Sequence, residues 1–196
     1  MDKKHLVIGI EGEVSSGKTS ICKELTSSIP NTIFIDGGTL ARSIVHAIKH
    51  CKKTPKNIFR LVILLYRLVF KLKIDSKTLM DRFGVSFKVN EDKKCLDIYI
   101  NNELINFEEI QSASNSTGVS KYTSKMDNSQ IFEMARELIR KYNKNYNIVL
   151  SGRGLVDIYP DMDFHFYITC DIKERVNRRY LQYDKKFSKE EIKEMI

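Results

Sequence analysis

Cysteine is scarce and unpatterned: Cys22, Cys51, Cys95 and Cys170 are the only four in 196 residues, and no C-x-x-C pair occurs. That spacing suggests neither a zinc site nor a disulfide framework, and buried or incidental free thiols are expected instead. A long apolar run is missing too. Leu6 to Ile10 is too brief for the apolar region of a signal peptide. The stretch Leu61 to Phe70 is interrupted or bounded by Arg60, Arg67 and Lys71, well short of the ~20 residues of a membrane span. Those charges form no clean polar face for an interfacial helix, so a cytoplasmic protein without a membrane partner is expected. The third absence is of acid: no Asp or Glu occurs between Gly37 and Ile74. Arg42, Lys49, Lys52, Lys53, Lys56, Arg60, Arg67, Lys71 and Lys73 fall in that stretch and account for essentially the whole net charge of +8. A local positive field favours anionic partners, whether phosphorylated small molecules, nucleic acid or a membrane surface. The basic and aromatic interleaving of a nucleic-acid platform is absent, so nucleic acid ranks last.

What is present reads as a soluble α/β protein. Hydrophobic residues at 42% and charged residues at 30% argue against disorder, and the length suits a single domain, 1–196, with one small insertion. Leu6-Val7-Ile8-Gly9-Ile10 has the unbroken apolarity of a strand buried on both faces of a parallel sheet. A helix from Lys18 to about Ser28, a turn at Pro30-Asn31 and a strand Thr32 to Ile35 ending at Asp36 continue it as a βαβ unit. Helices are expected from Leu40 to about Cys51, from Asn57 to about Ile74 and from Gln130 to Tyr142. Between them, Val85 to Val89 and Leu96 to Ile100 alternate around the polar turn Asn90-Glu91-Asp92-Lys93, the pattern of a hairpin within an antiparallel insertion at about 75–106. Ile148-Val149-Leu150 and Phe164 to Ile168 read as further strands. The last helix should open at Asp171, with Glu174 closing a capping box.

Gly12-Glu13-Val14-Ser15-Ser16-Gly17-Lys18-Thr19 fits the G-x-x-x-x-G-K-[ST] phosphate loop without a mismatch, between a buried strand and a helix where the chemistry requires it. Its glycines let the backbone wrap phosphates, with successive N–H groups and the helix N-terminus facing the anion. The segment Gly12 to Ser20 is therefore expected to bind ATP, with Lys18 on the terminal phosphates and the Thr19 hydroxyl on Mg²⁺.

Several further motifs stand in order. Ile35-Asp36-Gly37-Gly38-Thr39-Leu40-Ala41-Arg42, the segment Ile110 to Tyr122 with Ser120-Lys121, Ser151-Gly152-Arg153-Gly154, Ile158-Tyr159-Pro160-Asp161-Met162 and Glu174-Arg175-Val176-Asn177-Arg178-Arg179 together resemble the cytidylate kinase family of P-loop nucleoside-monophosphate kinases. The resemblance touches most of the chain and is weakest from Ser43 to Ile74. It implies a parallel sheet flanked by helices, with the hairpin as an NMP-binding insertion and a lid beginning at about 171–196. It implies transfer of the ATP γ-phosphoryl group to CMP or dCMP. By the same resemblance Arg42 and Arg153 hold the acceptor's phosphate or sugar, Ser120 contacts the base, Asp36 shapes the acceptor site, and Arg175, Arg178 and Arg179 form a charge-neutralising lid over ATP. The three lid arginines share one helix face by spacing, and a basic helix end with no catalytic task is the alternative for them. A nucleotide substrate and a monomer are expected.

The chain departs from the family where the acceptor binds. Ser151 and Gly154 replace both acids of Asp-Gly-Arg-Asp, Gly37 replaces a hydroxyl residue, and Gln111 replaces an arginine. The chain stops at Ile196, where family members continue into a lid segment, a strand and a helix, so a truncated product or a shortened relative is expected. Two other readings stay open: a P-loop kinase for a different acceptor, with Glu11 or Asp36 as base, and a catalytically impaired nucleotide-binding relative.

Overall fold

The computed structural model describes residues 5–50, 80, 84–112, 115, 119, 129–183 and 186–196. The expected helix at 57–74, the start of the insertion at 75 and Ser120 lie outside the described residues. In chain order the elements are β1 (Val7–Gly12), α1 (Lys18–Ser28), β2 (Thr32–Asp36), α2 (Gly37–Lys49), β3 (Val85–Asn90), β4 (Cys95–Ile100) and β5 (Glu103–Leu104). They continue with α3 (Phe107–Ile110), α4 (Ser129–Tyr142), β6 (Asn147–Gly152), α5 (Leu155–Ile158), β7 (Phe164–Ile168), α6 (Ile172–Gln182) and α7 (Lys189–Met195).

The sheet order is β3-β4-β2-β6-β1-β7, with β5 paired to β4. β2, β6, β1 and β7 are all parallel, so their C-terminal ends open on one edge of the sheet. The antiparallel β3–β4 hairpin extends that sheet through a single parallel pair, Phe34 with Cys95. The unbroken apolar strands β1 and β6 are inside, as their composition predicts. β7, equally apolar, lies at the sheet's margin with Phe164, Phe166 and Tyr167 exposed.

Strand alternation divides the core in two. Ile8, Ile10, Phe34 and Val149 face α1 through Cys22, Leu25 and Ile29. Val7, Ile33, Ile35, Ile148 and Leu150 face the other way, onto Ile44 of α2, Met134, Leu138 and Ile139 of α4, and Leu155 and Ile158 of α5. Each fully buried Ile or Leu there contributes about 1.5–3 kcal/mol. The hairpin adds Val85, Phe87, Ile98 and Ile100 to this larger cluster, and the buried Tyr142 hydroxyl donates to the Phe87 carbonyl at 2.6 Å. Among the described residues, no helix is long and apolar enough to cross a membrane.

Two helix starts differ from what the sequence predicts. Asp171 does cap α6, accepting from Lys173 N at 2.8 Å, but Glu174 pairs with Arg178 Nε at 2.7 Å. The capping box forms one helix later, where Ser188 and Glu191 bond reciprocally at the start of α7. Helix α2 begins at Gly37 rather than Leu40 because Asp36 caps it there.

Candidate active site

After β1 the chain passes to β2, which lies beyond β6 on one side of β1, while β6 connects to β7 on the opposite side of β1. The crevice at the C-terminal ends of β1 and β6 is therefore the topological switch point where α/β sheets collect ligands. The sequence places its glycine loop there. Gly12 has φ +150°, and a Cβ on it would lie 2.2 Å from the Ile168 carbonyl oxygen, so only glycine lets β1 and β7 close at this point. Ser15 and Gly17 take positive φ of 60° and 101°, and such left-handed turns direct successive N–H groups into a concavity. Gly17 caps α1 without a side-chain bond and the first turn carries no acid, which leaves the Lys18 and Thr19 N–H groups for an anion, Ser20 N being bonded to Gly17 O at 3.1 Å. The buried Ser16 hydroxyl has no partner within the protein, as a group positioned for a ligand would.

Lys18 Nζ donates to the carbonyls of Gly12 at 2.9 Å and Glu13 at 2.5 Å. Burial, and then the nearby Arg153 guanidinium, lower its pKa from the ordinary 10.5. The ammonium is thus held among loop carbonyls in a field that an anion would relieve. Thr19 lies exposed in the first turn and lines the same cleft. Among the described residues no cluster of three or more His, Cys, Asp or Glu could hold a metal ion. A Mg²⁺ ion would fit by the Thr19 hydroxyl together with nucleotide phosphates and water, the usual ligand set for that ion.

On the acceptor side one carboxylate organises a network. Asp36 accepts from Gly38 N, Thr39 N and the Thr39 hydroxyl, from Arg42 Nη2 at 3.1 Å, and from the Ser151 hydroxyl at 2.9 Å. Ser151 therefore links β6 to the cap of α2. Thr39 Oγ1 also accepts from Arg42 Nη2 at 3.2 Å and Gln111 Nε2 at 2.9 Å. Gln111, read from the sequence as replacing an arginine where the acceptor binds, therefore meets the site through Thr39, to which the sequence assigned no role. The spacing Asp36-x-x-Thr39-x-x-Arg42 is the signal that would have found Thr39, because it places all three on one helix face. Burial lowers the pKa of Arg42, Asp36 opposes that shift, and Arg179 adds to it.

Glu11, at the end of β1, is occupied as well: one oxygen accepts from Gly154 N at 2.6 Å and the other meets His165 Nε2 at 3.1 Å. This bond fixes the turn that carries Arg153. The three lid arginines separate. Arg178 and Arg179 line the cleft, with Arg178 Nη1 3.3 Å from where a Gly17 Cβ would be and Arg179 over the Tyr183 ring. Arg175 instead lies behind the loop, bonded to Val14 O at 2.9 Å and paired with Glu13 at 2.8 Å.

Lys18, Thr19, Asp36, Arg42, Arg153, Arg178 and Arg179 thus border one cleft of about 2220 Å³. A typical small-ligand pocket is about 300–1,000 Å³, so this one has room for two sizeable ligands.

A glycine loop at a parallel-sheet switch point, opening on a cation-lined cleft, defines a P-loop α/β protein. The cytidylate kinase family profile matches residues 8–196, and the chain belongs to that family. It is 26% identical to the cytidylate kinase of Clostridioides difficile (strain 630) over 177 residues, 90% of this chain and 70% of that protein. Similarity to the cytidylate kinase of Clostridium tetani (strain Massachusetts / E88) is also 26%, over 98% of this chain and 74% of that protein. The bifunctional pantoate ligase/cytidylate kinase of Prochlorococcus marinus (strain CCMP1986 / NIES-2087 / MED4) matches at 26% identity over 93% of this chain, which spans 32% of that relative.

Proposed function

We propose that the protein transfers the γ-phosphoryl group of ATP to the phosphate of CMP or dCMP. The observation that carries this reading is the contrast between the cations that border the cleft and the two carboxylates, Glu11 and Asp36, at the C-terminal ends of β1 and β2. Lys18, Arg42, Arg153, Arg178 and Arg179 border it, whereas Asp36 and Glu11 spend both carboxylate oxygens on protein donors. An alcohol acceptor needs a positioned base. A monophosphate, with a second pKa near ~6, is already ionised at neutral pH and needs in-line positioning and charge neutralisation instead.

In this reading the loop Gly12 to Ser20 and Lys18 hold the donor's phosphates. Bound Mg²⁺ beside Thr19 would screen charge between the β- and γ-phosphates. Arg42, within α2, and Arg153, just after β6, hold the acceptor's phosphate or sugar, with Asp36 shaping that side by fixing Arg42. Ser120 is assigned to the base by resemblance alone. Family membership supports a kinase, and the cytosine preference is the finer part of the proposal.

The test is ADP release with ATP, Mg²⁺ and each of CMP, dCMP, UMP, AMP and GMP, with Lys18→Ala as the blank. Turnover is expected with CMP or dCMP well above the other three. Turnover only with alcohols, or ATP hydrolysis indifferent to the acceptor, would sink the proposal.

A further inference from the structure

A phosphate loop that turns its N–H groups inward must turn carbonyls outward, and those carbonyls need donors of their own. Two side chains supply them here. Lys18 Nζ takes Gly12 O and Glu13 O from within the loop, and Arg175 takes Val14 O from outside it. Arg175 comes from α6, is only 5% exposed, and distributes its guanidinium over three partners. Nε bonds Val14 O at 2.9 Å, Nη1 pairs with the Glu13 carboxylate at 2.8 Å, and Nη2 donates to Ile196 O at 3.2 Å. One turn further along the same helix, Arg178 reaches Gly17 at the loop's other end.

We propose that Arg175 is a positioning residue: with Glu13 it braces the outer side of the phosphate loop and docks α6 across it. Lys18 cannot serve both roles. An incoming polyphosphate draws its ammonium away from the carbonyls of Gly12 and Glu13, and Arg175 is then the cation still holding the loop's first half in shape. The brace acts on the loop's N–H cradle as a whole, so it acts equally on any nucleotide that places a β-phosphate there.

This inference rests on Gly12 to Ser20 being a phosphate loop and does not depend on which acceptor is used. The experiment is calorimetric titration of the full chain with MgATP and with MgADP, for wild type, Arg175→Met, Glu13→Gln and the double variant. Charge-assisted bonds of this kind set the expected scale at about 10- to 100-fold. Arg175→Met should weaken ATP and ADP by the same factor, Glu13→Gln should weaken both by less, and the double variant should match Arg175→Met alone. If Arg175→Met does not fold, Arg175→Lys replaces it in the same cycle. Lysine keeps the charge but lacks the guanidinium fork whose separate nitrogens reach Val14 O and the Glu13 carboxylate, so an equal, partial loss for both nucleotides is expected. Weakened ATP with unchanged ADP would make Arg175 a direct γ-phosphate ligand and overturn the proposal, as would unchanged affinity for both or fully additive losses. Normal ATP and ADP binding without monophosphate turnover would count against the proposed function and leave the brace standing.

Discussion

At the scale of single residues, the site separates cations kept ready for anions from carboxylates already occupied. Lys18 shows the first kind. Its pKa is lowered chiefly by burial and then by Arg153. Between that lowered value and 10.5 the unfolded chain binds more protons than the folded one, so stability without ligand rises with pH through this window. Nucleotide affinity moves the other way, because phosphates require the ammonium. MgATP affinity should therefore begin to fall at a pH below 10.5, while Lys18→Arg, charged throughout, should show no such fall; calorimetric titrations between pH 7 and pH 10 would check this. Asp36 shows the second kind. Its place at the end of a strand and its local donors at Gly38, Thr39 and Arg42 follow from sequence spacing, but the Ser151 hydroxyl does not, because Ser151 lies 115 positions away and meets it only through the pairing of β2 with β6. Cys22 is inert by the same logic, its thiol pushed up to about 12 by burial and then by Asp36.

At the scale of elements, the join between α2 and the segment after β5 depends on a histidine held neutral. The Asn115 amide nitrogen donates to Glu109 O at 2.9 Å, which orients it to face His46 Nδ1 at 3.1 Å as a donor. Nδ1 must accept, so the neutral ring carries its proton on Nε2. Burial lowers the His46 pKa, with His50, stacked at 4.2 Å, and Lys49 adding to the shift and Glu109 opposing it. A lowered folded value means the unfolded chain binds more protons below about 6.5, so stability is full above that pH and declines as pH falls. His46→Gln, which keeps an acceptor for Asn115, should remove most of that decline at a cost of about 1 kcal/mol near neutrality. Melting temperature between pH 5 and pH 7.5 reads both effects. The periodicity of α2 was plain from sequence, but this partner was not, since Asn115 is 69 positions from His46.

At the scale of the whole molecule, the cleft gathers Lys18, Arg42, Arg153, Arg178 and Arg179 beside a buried Ser16 hydroxyl that has no partner within the protein, so ligand binding and folding should be strongly linked. MgATP at about 100 times its dissociation constant should add about 2.7 kcal/mol, seen as a rise in melting temperature that Lys18→Ala largely abolishes. An equal rise in that variant would place the binding energy elsewhere. Much of the architecture was readable beforehand because β1, α1, β2, the β3–β4 hairpin, α4 and β7 carry local signals: apolar runs, period-two alternation, amphipathic spacing and turn residues. The phosphate loop was readable for the same reason, since G-x-x-x-x-G-K-[ST] is a contiguous segment whose chemistry resides in its own backbone. Three things were left to the tertiary structure. Sheet order decided that Ser151 faces Asp36, α6's docking decided that Arg175 lies behind the loop while Arg178 and Arg179 enter the cleft, and edge placement decided that the apolar strand β7 is exposed. Residue spacing specifies which side chains share a face; the packing of distant elements determines what that face meets.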